Sequence, residues 1–480
     1  MVLAGHSRVR KLSRFAPILL ANLLPLVGVV RLGWEPTTLV VIYAAEVLLS
    51  ILLAGVKALF AQRPPPDERD GILSVSNAEL TGKRGSVEVA EWLPPVYPRN
   101  VPFALAVGGG VLWLWMYLAF ALTSTLGLAE VLSRPEVAVS AVGLFAGQVV
   151  ETARDYFRGR RYETVSPYAV IETPARQAFF LVFVLFTTAG ITSATGGAAF
   201  TLGIVVFVKL LVEWSAFRAS HDDGGGRISR WLAGPDDASA SPDPVRVPAG
   251  DPTYRARTDR RAVLYTGLLR TLAETAPIYL SWSVFAWLVS LAVVIDADAS
   301  GTAVLASMVV AAGLLAVAVG VQVGSFYLRY GPLEYRRYGD RIVAFDVWTD
   351  EPQWSESIRA LRGVAVANDR LPDRLIGTRT FEATTGWGDD ETERYLGPVS
   401  NPDDFVEAFE LPIRTTRLRP LDRRSAGFSA VAGVGVLAVP VAVAMGPWSA
   451  FIAILYFVFL TPFVAMVLRG LWNRSYPDTA

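Results

Sequence analysis

The sequence predicts an α-helical integral membrane bundle of about ten transmembrane helices with an inserted cytoplasmic β-rich domain. Three observations lead there. Of the 480 residues, 52% are hydrophobic and 18% are charged, whereas soluble domains carry about a quarter charged residues. The apolar residues collect into runs near the length a bilayer-spanning helix needs. The basic residues fall between those runs, on alternate sides, as cytoplasmic loops require.

The ten expected spans are Phe15–Val30, Thr37–Val56, Val101–Leu122, Val137–Val150, Ala175–Ile191, Gly197–Trp214, Pro277–Ile295, Ala303–Gly324, Ala426–Ala444 and Trp448–Leu468. The fourth is the weakest, because its apolar run is only 14 residues long. The fifth and sixth are separated by the breaker Ser193-Ala-Thr-Gly-Gly197. With the N-terminus inside and sides alternating, 41 of the 44 Lys and Arg residues fall in inside segments. Arg31 and Arg134 fall outside and Lys209 lies within a span. Both termini are therefore expected in the cytoplasm of a multi-pass cell-membrane protein. Arg8, Arg10, Lys11 and Arg14 precede the first apolar run, but no small-residue cleavage site follows it, so that run is expected to be a retained anchor.

Composition narrows the chemistry. There is no cysteine, which removes disulfides, thiolate metal sites and cysteine nucleophiles. The two histidines, His6 and His221, lie outside the apolar runs. Neither a zincin HExxH motif nor a GxSxG elbow is present. The reading is a non-enzyme with no catalytic residues, no cofactor and no metal. Positive and negative charges balance, 44 against 44, and no basic stripe with interleaved aromatics suggests nucleic acid. The basic set is 40 Arg and 4 Lys.

Charge inside the apolar runs is the sharper signal. Glu46 lies nine residues past Thr37, about 14 Å deep at 1.5 Å per residue. An ionised carboxylate there costs about 2.5–3.5 kcal/mol unless it is paired or protonated. Lys209 and Glu213 lie one turn apart in the sixth span. Glu46, Lys209 and Glu213 are thus the intramembrane polar candidates. Lys209 can be a counter-ion to Glu46 on a proton or solute path, or it can snorkel to the interface while Glu46 bonds within the bundle. Gly143 with Gly147, and Gly320 with Gly324, have the four-residue spacing that lets helix backbones approach.

The chain divides into an N-terminal membrane domain at 1–217 with six helices, a flexible cytoplasmic linker at 218–262, a two-helix membrane segment at 263–328, a cytoplasmic domain at 329–425 and a C-terminal two-helix hairpin at 426–480. The segment 61–100, flanked by proline clusters, reads as a partly extended loop. The linker carries His221-Asp-Asp-Gly-Gly-Gly and Pro235-Asp-Asp-Ala-Ser. In 329–425, Leu333–Tyr338 and Arg341–Trp348 form a hairpin across Gly339-Asp340, with further strands at Ser357–Ala367, Thr378–Thr385 and Glu393–Val399. A helix begins at Asn401 with Pro402 at its first position and an apolar face of Phe405, Val406 and Phe409.

Several strands closed by one helix, beside membrane spans, resemble the bacterial PH-like domain of many multi-spanning prokaryotic membrane proteins. The resemblance rests on Tyr338-Gly-Asp-Arg-Ile-Val, Ile358-Arg-Ala-Leu-Arg-Gly-Val-Ala-Val, Arg374-Leu-Ile-Gly-Thr-Arg-Thr-Phe and the Asn401-Pro-Asp-Asp-Phe helix. It covers about 80 of the 480 residues, and the stretch Trp348–Trp354 reads as an insertion. The whole chain also resembles uncharacterised multi-spanning membrane proteins of halophilic archaea. The turn holding Asp389, Asp390 and Glu391 is acidic, which disfavours lipid headgroups at that face. The expectation is a scaffold or regulatory protein whose partners are the lipid bilayer and, through residues 329–425, a protein or a second copy. The alternative is a secondary transporter or channel built around Glu46 and Lys209.

Overall fold

The computed structural model describes residues 33–65, 78–111, 134–180, 243–272, 301–386 and 391–432, with isolated positions beyond these, among them 209–211 and 472–476. The chain divides into two units. One comprises residues 1–81 and 88–242, the other residues 82–87 and 243–480.

In the first unit, helix α1 spans Pro36–Phe60 and α2 spans Pro135–Glu151. Both begin with a proline in the first turn, where the missing N–H is no loss. Arg134, just before α2, pairs with Glu35, just before α1, at 2.9 Å. The last carbonyls of α1 lack helical partners and are met from elsewhere. Buried Asn100 donates to the Ala61 carbonyl at 2.7 Å, and the Tyr156 hydroxyl donates to that of Lys57 at 2.7 Å. Tyr156 reaches it from a wider π-helical turn, Thr152–Arg158, that prolongs α2. Ile51, Ala58, Phe103, Val107, Tyr168, Ile171 and Ala178 form the core of this unit.

The expected bundle of ten spanning helices is corrected by these elements. Among the described residues, two helices are long and apolar enough to cross a membrane, Val41–Phe60 and Pro135–Arg158, and the second unit holds two antiparallel sheets. The shortest expected span, Val137–Val150, is one of the two, because its helix continues past the apolar run through Arg158. The spans expected at Phe15–Val30, Pro277–Ile295 and Trp448–Leu468 lie almost wholly outside the described residues. Among the described residues, an added Cβ at Gly143, Gly147, Gly320 or Gly324 meets no atom within 4 Å. The close approach is at Gly55, where an added Cβ would lie 2.9 Å from Val107 Cγ1.

The second unit is built on β1 (Tyr254–Arg257), helix α3 (Arg260–Arg270), helix α4 (Gly301–Tyr330), β2 (Leu333–Tyr338), β3 (Arg341–Asp346) and β4 (Glu351–Ser357). It continues through β5 (Arg362–Val366), helix α5 (Leu371–Ile376), β6 (Arg379–Thr385), β7 (Thr392–Val399) and helix α6 (Pro402–Ala408). One sheet has the order β1-β2-β3-β4 and the other β5-β6-β7, all pairs antiparallel. Tyr335, Ile342, Phe381, Leu396, Phe405 and Phe409 lie at the centre of a shared core, each fully buried. Phe405 stacks on Phe381 with centroids 5.5 Å apart and meets Tyr335 edge-on at 5.8 Å, the two geometries the ring quadrupole favours.

The β2–β3 hairpin turns at Gly339, with φ of 60°, as its sequence predicts. Strands β6 and β7 and the helix after Asn401 also stand where expected. The strand expected at Ser357–Ala367 is divided by a 3₁₀ turn, Ile358–Ala360. Ile358 and Leu361 are three residues apart, so a strand would point them to opposite faces. A turn with three residues per revolution sends both to the core. The stretch read as an insertion supplies β4, and β1 lies within the segment read as linker.

Candidate functional site

Two arrangements of polar groups stand out, one in each unit. In the first unit, Lys209 Nζ lies 2.9 Å from Glu46 Oε2, with the side chains only 6% and 19% exposed. The ammonium also sits 4.7 Å from the centre of the Tyr43 ring, one turn before Glu46. Gln148 of α2 donates to the Glu46 carbonyl at 3.4 Å. Sequence reasoning named both ends of this ion pair, and the structure brings them together. Glu213, the third candidate, lies outside the described residues. A shielded carboxylate and ammonium at contact distance stabilise each other's charge, and either becomes costly if the other is removed.

The second unit is closed by a strap that enters from far earlier in the chain. Residues Gly82–Val87 belong to this unit although the rest of it begins at Asp243. Lys83, 2% exposed, forms an ion pair with Asp346 at the end of β3, which is fully buried, and donates to the Leu328 carbonyl. The other Asp346 oxygen accepts from the Trp348 and Thr349 amides at 2.8 and 3.0 Å. Burial pushes the Lys83 ammonium below its ordinary pKa, and Asp346 opposes that shift. The next strap residue continues the clasp. The Arg84 amide donates to Gln353 Oε1 at 2.9 Å, and Gln353 Nε2 donates back to the Arg84 carbonyl at 3.1 Å.

Beside this strap lies a half-open cleft of about 940 Å³, bounded by the strap, the chain entering β1, the end of α4, and parts of β4 and β7. Five arginines line it: Arg84, Arg246, Arg329, Arg341 and Arg394. Three acids accompany them, Asp243, Glu356 and Glu393, with Tyr330, Trp354 and Tyr395 supplying aromatic surface. Arg394 pairs with Glu356 at 3.3 Å and its guanidinium lies 5.4 Å from the Trp354 ring centre. Arg341 holds both the hydroxyl and the carbonyl of Ser355 at 3.1 Å. Behind the cleft, the buried Tyr335 hydroxyl donates to the Tyr395 carbonyl at 3.2 Å and accepts from the Gly397 amide at 3.1 Å. Burial raises the Tyr335 pKa to about 12, so it stays a neutral donor.

Neither the strap nor the cleft is foreseen by the sequence reading. The scarcity of lysine is the signal that was there to use: Lys83 is one of only four in a chain with 40 arginines.

Among the described residues, no group of three or more metal-ligating side chains could hold a metal ion. Residues 5–227, just under half of the chain, match a family described as a family of unknown function (DUF6498). No curated protein and no solved structure matches the chain.

Proposed function

We propose that this is a non-enzymatic protein of the cell membrane whose β domain, PH-like in form, makes contact with another protein or with a second copy of the chain. The cleft carries the reading: an open, arginine-lined hollow with aromatic walls on a domain with its own complete core. Arginine and aromatic residues are the types enriched where proteins meet. The PH-like form is supported by four strands, then three, then one closing helix whose Phe405 seals the core. Membrane attachment is supported by the two long apolar helices and by the apolar composition.

The test is site-specific photo-crosslinking of the full chain in its native membrane. A benzophenone side chain at position 246, at the cleft, should give a discrete cross-linked species, and one at exposed position 417 should not. Silence from both positions and from a further series around the cleft would overturn the reading.

A second reading, a transporter or channel, is favoured by the Glu46–Lys209 pair, whose carboxylate lies in the apolar helix α1. It predicts substrate-dependent flux in proteoliposomes that Glu46→Gln abolishes. Unchanged flux in that variant, or none in the wild type across candidate ions, removes it.

A further inference from the structure

We infer that the cleft of the β domain binds an acidic, extended peptide segment of the partner, an inference that rests on the protein-contact reading above. The lining is unbalanced in charge, with five arginines against three acids. Arg394 pairs with Glu356, and that pairing leaves the net excess of positive charge in the lining unchanged. The Nε of Arg394 is buried and has no hydrogen-bond partner among the described residues. A guanidinium N–H in that state is matched by an incoming carboxylate, whose two oxygens can take parallel bonds from an arginine fork.

The same lining argues against other occupants. Two further carboxylates line it, Asp243 and Glu393, the latter accepting from the Tyr395 hydroxyl at 3.4 Å, and they would repel a compact multiply charged anion such as phosphate placed among them. A peptide spreads its carboxylates along its length and can keep them away from these groups. The Ser355 carbonyl of edge strand β4 is already taken by Arg341, so side chains rather than strand addition supply recognition here. Trp354, Tyr330 and Tyr395 offer apolar surface for one hydrophobic residue between the acids. The volume, about 940 Å³, lies at the upper end of the roughly 300–1,000 Å³ of small-ligand sites, and its open side lets a chain enter and leave.

The probe is a fluorescein-labelled Glu-Glu-Phe-Glu-Glu peptide, titrated by anisotropy against the full chain in nanodiscs of neutral lipid. Saturable binding is expected, weakening with salt and falling at least about tenfold in the Arg84→Glu, Arg246→Glu double variant. Arg417→Glu, an exposed charge outside the cleft, should leave it unchanged. Intact thermal unfolding of the double variant shows that loss of binding is not loss of fold. Binding that survives the double variant, or no saturable binding to the wild type, overturns the inference. So does full displacement of the peptide by millimolar inorganic phosphate, which would make the cleft a phosphate site. A cross-link at position 246 without peptide binding sinks this inference alone and leaves the protein-contact reading standing.

Discussion

Replacing Lys83 by methionine keeps the apolar stem and removes the charge that meets Asp346. The partner carboxylate is fully buried and its second oxygen is committed to two backbone amides. It would stay behind without its cation, and the Leu328 carbonyl would lose its donor. Breaking a buried pair in this way costs about 3–5 kcal/mol. Each 1.4 kcal/mol is a factor of ten, so opening of the strap should become on the order of a hundredfold to a few thousandfold more frequent. Arg84 lies in the strap and is a trypsin site, so limited proteolysis of the full chain reads that opening directly. The variant should be cut after Arg84 at least a hundredfold faster than the wild type. Adding Asp346→Asn should recover much of the protection, since an amide oxygen still accepts from Trp348 and Thr349 while no charge is stranded. Cleavage of Lys83→Met within about threefold of wild type, or no recovery in the double variant, would refute the view that this pair fastens the strap.

Other outcomes follow from the same structure. Phe405→Ala removes the ring that links Phe381, Tyr335 and Phe409, and should cost about 3–5 kcal/mol in denaturant unfolding of the β domain. Gly55→Leu places a side chain against Val107, where even a Cβ is too close, and should lower the thermal midpoint of the first unit, whereas Gly143→Leu should not. Glu334 is buried and bonded by Arg257 and Arg336 at 2.7 Å each. Burial pushes its carboxyl up, but the two arginine bonds outweigh that and hold it below its ordinary pKa. Its contribution to stability is therefore complete above the unfolded-state value near about 4.3 and is lost as pH falls through the lower folded value. Glu334→Gln should flatten that acid limb in a pH series of unfolding midpoints. A fragment of residues 329–425 made alone lacks β1, Arg257 and Lys83. It should therefore fail to show a cooperative unfolding transition, read by circular dichroism.

What could be read from the sequence depended on whether the stabilising contact was local. The β2–β3 hairpin, β6, β7 and the helix after Asn401 each carry their own turn residues or cap position, and each was legible. Strand β4 carries Pro352 and a mostly polar composition. It persists because it is an edge strand with one neighbour, where proline is tolerated. Strand β1 is four residues long, follows the proline- and glycine-containing stretch Pro248-Ala-Gly-Asp-Pro252, and is ordered by pairing with β2. The Glu46–Lys209 pair was legible because charges are rare inside apolar runs, so few partners compete. The arginines of the cleft were hidden among many others, since position along the chain does not show which five share a wall. The ten-span count failed for a related reason. Hydropathy scores each run by itself, whereas the described structure has two helices that meet the length and composition of a crossing.

The strap also sets an order in time. Lys83 leaves the ribosome 263 residues ahead of Asp346, an interval of roughly 13–50 s at about 5–20 residues per second. Throughout that interval the lysine lacks its native partner Asp346, and the β domain cannot close until its last-made half reaches back to a segment synthesised long before. A quality-control protease that cuts at an undocked strap would therefore act as a clock, sparing chains that finish the domain promptly and removing those that stall between the two residues.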